Sequence, residues 1–242
     1  MATLGRKQND IEAGGACPFL VVNEPPEIRW AFIRKVYTIL SMQLLLTVFV
    51  AAFVVFNPSI YEFMRKTTAG FVIYLVSFIL TLTVFGVLSE LHKRHPINFV
   101  LLAFFTVGIA FFVGLTCARF KGRIVLEAAF LTAVVAVSLT LYTFWAAKRG
   151  HDFGFLGPFL FAALMVLICF SIIQLLFPMG KSTMMVFGVV AALIFCGYII
   201  YDTDNLIKRF SNDEYIIASA TLYMDIINLF QALLLILGGA DE

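Results

Sequence analysis

Charged residues are scarce in this chain. Asp, Glu, Lys and Arg make up 13% of its 242 residues while 62% are hydrophobic, and the mean hydropathy of +0.98 lies outside the range of soluble globular domains. That shortage excludes a soluble enzyme or binding domain and implies a protein dissolved in lipid. The net charge is only +2 and the basic residues are scattered between apolar runs, so there is no nucleic-acid footprint. Cysteine is thin too. Cys17, Cys117, Cys169 and Cys196 form no C-x-x-C pair and no His/Cys cluster, which argues against disulfides and zinc. His92, His95 and His151 fall between apolar runs and do not group with any acid, and no cofactor motif stands out, so no cofactor is expected. Residues 1–28 contain Gly14-Gly15 and Pro25-Pro26 but no apolar h-region; they read as a flexible tail without a cleavable signal peptide.

What the chain does have is seven apolar runs, at about 36–56, 70–91, 97–118, 124–147, 155–177, 183–202 and 215–237. Each is near the ~20 residues that a helix needs to cross a ~30 Å hydrocarbon core. The separators are short and polar, so consecutive helices must be antiparallel neighbours and residues 29–242 form one all-α, seven-span membrane domain. Arg29-Trp30-Ala31-Phe32-Ile33-Arg34-Lys35 mixes basic and aromatic residues before the first run, as interfacial anchors or an amphipathic entry turn do. With the N-terminus in the cytoplasm, cytoplasmic segments hold eleven Lys and Arg against six on the other side. The bias favours that orientation.

Every Lys and Arg sits in a tail, a loop or a segment end, whereas Glu127, Asp202 and Asp225 lie within or at the margin of apolar runs. An Asp at mid-membrane costs about 2.5 to 3.5 kcal/mol on insertion scales and normally faces a bundle interior or a watery path. Thr221 and Asn228 fall within roughly 60° of Asp225 on the helix wheel, giving the last helix one narrow polar stripe and placing it inside a bundle. With no basic partner at that depth, these carboxyls must be protonated, bonded to one another, or meet a cation. Each option points to proton or cation handling.

A tight connection makes the last two helices a hairpin. If the sixth continues to about Arg209 and the seventh starts near Tyr215, Asp202 and Asp225 lie about 10 and 15 Å from the turn. Ser211-Asn212-Asp213-Glu214 fits a capping box that would start the last helix earlier and widen that offset. Spacing therefore permits a pair, and leaves standing a helix-end Asp202 that reaches interfacial water. If the carboxyls meet they cannot both ionise cheaply, so they would share a proton and titrate as one unit, a pH-sensitive latch. Glu127, close after Arg123, reads equally well as a loop-paired carboxylate.

Arg29-Trp30-Ala31-Phe32-Ile33-Arg34-Lys35-Val36-Tyr37, Val125-Leu126-Glu127-Ala128, Tyr201-Asp202-Thr203 and Leu222-Tyr223-Met224-Asp225-Ile226-Ile227-Asn228-Leu229-Phe230 together resemble the Bax inhibitor family, the N-terminal block being most similar to its plant LIFEGUARD branch. The resemblance implies a seven-helix bundle with the C-terminal helix central. It also implies a Ca²⁺ leak path gated by a paired-aspartate pH sensor, and suppression of stress-induced cell death from an endomembrane (endoplasmic reticulum, Golgi or vacuole). Asp202 and Asp225 match the sensor pair and its transient Ca²⁺ contact, and Glu127 matches the fourth-helix acid; Thr221 and Asn228 are further ion-path candidates. Some bacterial relatives engage the sixth-helix aspartate with a basic residue near the end of the second helix. Here that region reads Glu90-Leu91-His92-Lys93-Arg94 and offers no secure match.

A second reading is a non-conducting adaptor that regulates cell death by binding membrane-protein partners, for instance through the N-terminal tail. Either way the expected surroundings are bilayer, Ca²⁺ and protons. An intramembrane aspartyl protease fails on motif, because Asp225 lacks a G-x-G-D setting and no Pro-Ala-Leu follows. A G-protein-coupled receptor fails because the chain lacks Asp-Arg-Tyr and Asn-Pro-x-x-Tyr signatures. A non-enzyme is expected.

Overall fold

An apolar run in lipid has to satisfy its own backbone N–H and C=O groups, and a helix does so within the segment. The computed structural model describes residues 26–92, 94, 96–177 and 180–240. Its elements are α1 (Pro26–Phe56), α2 (Pro58–Lys66), α3 (Thr68–Leu91), α4 (Ile97–Cys117), α5 (Gly122–Lys148), α6 (Leu156–Leu176), α7 (Lys181–Lys208), a 3₁₀ turn (Asn212–Glu214) and α8 (Tyr215–Ala240). Seven of these, all but α2, are long and apolar enough to cross a membrane, in agreement with the seven runs read from the sequence. Residues 1–25 of the expected tail lie outside the described residues, and Pro26 already opens α1.

Helix α8 is the hub. It packs against α1, α4, α5 and α7, while α3 sits beyond α4 and α6 beyond α7. In its most apolar stretch 44% of residues are buried, against 11% in α3 and α6. Tyr223, Ile216, Leu229 and Leu234 are almost wholly enclosed, so the helix with the intramembrane aspartate has the least lipid contact. The seam with α7 is built from small residues. Gly188, Ala191 and Ala192 of α7 are buried, and a Cβ on Gly188 would come within 3.1 Å of the Ala232 carbonyl oxygen. Lipid tails provide no hydrophobic drive between helices, so close backbone approach is what binds such a pair.

Two elements differ from the sequence reading. Helix α1 begins ten residues before the apolar run, which carries Arg29, Arg34 and Lys35 onto the helix itself. Residues 58–66, read as a separator, form the short amphipathic α2, opened by Pro58 at its first turn and held by a Glu62–Lys66 ion pair of 3.0 Å. At about 14 Å it is too short to span the core.

Candidate functional site: two carboxyl pairs at the end of α7

Helix α7 runs to Lys208 and the capping box forms, with the Glu214 carboxylate accepting from the Ser211 N–H at 2.9 Å. The box caps a single 3₁₀ turn that leads into α8. Asp202 is then about 9 Å from the end of α7 and Asp225 about 15 Å from the start of α8. Side chains on a helix lean towards its N-terminus. Asp202, on the helix that approaches the turn, leans away from it; Asp225, on the departing helix, leans towards it. The offset closes from both sides, and the two carboxyls come within hydrogen-bonding contact.

Around the pair, Thr221 reaches Asp202, and the Asn205 amide donates to Asp202 Oδ1 at 3.4 Å. Asp225 is 6% exposed and its Oδ2 is buried with no donor facing it. Among the described residues neither carboxyl forms an ion pair. Two carboxyls in contact without a cation can bond only through a proton held between them. Asn228, one turn beyond Asp225, is half-buried on the same stripe.

Two residues further along α7 lies a second carboxyl pair with the opposite electrostatics. Asp204 is fully buried, its Oδ2 accepts from the Phe153 N–H at 3.1 Å, and Lys208 Nζ is 2.5 Å from its Oδ1. Asp152, in the α5–α6 loop, bonds with Asp204 and pairs with Arg209 at 3.2 Å and Lys208 at 3.6 Å. Lys208 also donates to the His151 carbonyl. Burial works to raise the Asp152 carboxyl, but the bond with Asp204, the Gly154 N–H and the charges of Arg209 and Lys208 outweigh it and hold the group below its usual range. The α5–α6 loop is thereby strapped to the end of α7 beside the Asp202–Asp225 pair.

The same end is fixed from α1. Arg29 Nε and Nη2 each donate at 2.8 Å to the Ile207 and Leu206 carbonyls, and Nη1 donates at 2.5 Å to that of Phe210. The Leu206 and Ile207 carbonyls are among those that a terminating helix leaves without partners, and Phe210 lies just past the helix end, so the guanidinium serves as a C-terminal cap. An Arg read as an interfacial anchor is thus a structural clamp on the site.

Glu127 is elsewhere. It is exposed near the start of α5 and pairs with Arg123 at 2.8 Å, beside a groove of about 370 Å³ at the far end of α8. Some 22 Å of helix axis separate Asp225 from that end. The structure therefore brings Asp202, Asp225 and Thr221 together, continues the stripe to Asn228, and leaves Glu127 at the opposite end of the bundle. The second pair was missed in the sequence, although Asp204 and Lys208 stand at the i, i+4 spacing of a helical ion pair.

Comparison with known proteins gives consistent matches. The family described as "Inhibitor of apoptosis-promoting Bax1" matches residues 29–242. Protein LIFEGUARD 2 of Arabidopsis thaliana is 56% identical over 98% of this chain and 99% of its own length. Protein LIFEGUARD 4 of the same plant is 55% identical over 95% and 93%. The Golgi anti-apoptotic protein of vaccinia virus is 36% identical over 92% and 91%.

Proposed function

This chain belongs to the family of inhibitors of apoptosis-promoting Bax1, and from that membership we propose that it suppresses stress-induced cell death as a pH-sensitive Ca²⁺ leak of an endomembrane, gated by Asp202 and Asp225. The observation that carries the reading is the contact of a half-buried Asp202 carboxyl with a buried Asp225 carboxyl, with no cation between them among the described residues. With one proton shared, the pair carries a single negative charge spread over both carboxyls, and the bond holds the α7–α8 seam shut. When that proton leaves, two negative charges about 4 Å apart repel by about 4 kcal/mol at an effective dielectric near 20, enough to spread the seam or admit a divalent ion. Two carboxyls make a weak, passing Ca²⁺ contact. Among the described residues no group of three or more acidic, His or Cys ligands could hold a resident metal. Thr221 and Asn228 continue the polar stripe along α8, and Glu127 lies at the far mouth.

Purified full-length protein in Ca²⁺-loaded liposomes should leak Ca²⁺ at a rate that changes between pH 5 and pH 8. Asp225→Asn removes the second charge, so its leak should lose most of that pH dependence. A leak equally pH-dependent in D225N would refute the gate, and no leak at either pH would favour the adaptor that acts through membrane-protein partners. Eleven of the seventeen Lys and Arg lie on the side of the N-terminus, which supports a cytoplasmic N-terminus.

A further inference from the structure

The remaining basic residues of α1 serve neither the carboxyl pairs nor the clamp. Arg34 and Lys35 are exposed, and among the described residues neither forms an ion pair. They rim a groove of about 410 Å³ between α1 and the start of α4, lined also by Ala31, Thr38, Ile39 and Phe99. Lys35 Nζ stands 3.2 Å above the ring of Tyr215, which packs against Phe99 with 6.0 Å between centroids. Cations over an aromatic and aliphatic floor suit a ligand that is charged at one end and greasy at the other.

Depth makes the same point. About 20 residues of α1, from Val36 to Phe56, fill the hydrocarbon core, so Arg34 and Lys35 sit at the headgroup level. Below them on the same face of α1, Met42, Leu45, Phe49 and Phe53 are exposed, a continuous apolar track for an acyl chain. Glu27, the acid nearest on that face, lies about 10 Å further out. We propose that this groove is a binding site for an anionic phospholipid, with Arg34 and Lys35 holding the phosphate and Ala31, Ile39 and Phe99 receiving the glycerol end of its chains. Basic pockets between membrane helices take anionic headgroups in this way. The inference stands independently of the ion-leak reading.

The test uses the full-length protein in detergent, with binding of dioctanoyl phosphatidic acid read by native mass spectrometry against dioctanoyl phosphatidylcholine and against competition by inorganic phosphate. Phosphatidic acid should bind at least about 10-fold tighter than phosphatidylcholine, with inorganic phosphate a poor competitor. Arg34→Gln with Lys35→Gln should weaken phosphatidic acid about 30-fold, and Arg34→Gln alone, an exposed position, about 5-fold. Ala31→Trp keeps both charges but fills the groove and should also weaken binding, whereas Arg65→Gln with Lys66→Gln on α2 should not. Equal binding of the two lipids, or loss of phosphatidic acid to millimolar phosphate, would overturn the proposal. So would undiminished binding in Arg34→Gln, or in a folded Ala31→Trp protein, which would leave only diffuse surface charge.

Discussion

Asp202 and Asp204 are two residues apart on α7 and face opposite chemical situations. Asp204 meets Lys208 and, through Asp152, Arg209, so its pair carries its own cations; among the described residues Asp202 meets another acid and two neutral donors. The first arrangement is a strap and the second, on the proposed function, a proton store, and pH should separate them. Because Asp152 is held below its ordinary carboxylate range, its contribution to stability is complete above the unfolded value of about 3.9 and is lost as the pH falls through the lower folded value. Asp152→Asn should therefore lower the unfolding temperature slightly at pH 7, by less than about 1 kcal/mol of stability for a side chain 61% exposed, with the difference from wild type shrinking only as the pH falls below about 3.9. It should leave the pH response of the leak between pH 5 and pH 8 unchanged, unlike D225N. Arg29→Gln should act more strongly, since three charge-assisted bonds to the end of α7 are lost, at a cost of about 2 to 4 kcal/mol. The amides of Arg209 and Phe210, both bonded to the Asn205 carbonyl, should then exchange hydrogen faster.

At the scale of helices, the seam between α7 and α8 sets how far the carboxyls stand apart. A Cβ on Gly188 would meet the Ile236 side chain at 2.9 Å as well as the Ala232 carbonyl, so Gly188→Val must push the helices apart at one end of the hairpin. Overpacking of this kind costs about 1 to 3 kcal/mol. Thermal unfolding should show it clearly, with Leu193→Val, on the lipid-facing surface of α7, as the near-silent control. The helices themselves were legible because an apolar run of twenty residues has one solution in lipid. The Asp202–Asp225 contact was half legible, since a short connection fixes a hairpin but residue counting ignores the opposite lean of side chains on its two arms. Helix α2 was missed because nine residues are below any membrane-length window and Asn57-Pro58 reads as a break. The strap joins Phe153 to Asp204 across 51 residues, and the clamp joins Arg29 to Leu206 across 177; no local spacing encodes either.

For the molecule as a whole, seven crossings place residues near Arg29 and residues near Ala240 on opposite faces of the membrane. The Arg29 clamp, the Asp152 strap and the turn between α7 and α8 all lie on the face of Arg29, while the groove beside Glu127 lies on the other. The membrane thus separates a face with the Asp202–Asp225 pair, a cation-bearing strap and the Arg34–Lys35 groove from one with Glu127 paired to Arg123. On the proposed orientation, which the excess of Lys and Arg favours, the first face is the cytoplasmic one, and Arg119, Lys121 and Arg123 lie on the other. Membrane-impermeant maleimide applied to the cytosolic side of sealed microsomes decides between the two orientations. In a background with the four native cysteines replaced by serine, Lys148→Cys at the end of α5 should be labelled directly, and Lys121→Cys before its start only after permeabilisation. The reverse pattern would turn the gating pair towards the lumen, where the leak would respond to lumenal and not cytosolic pH.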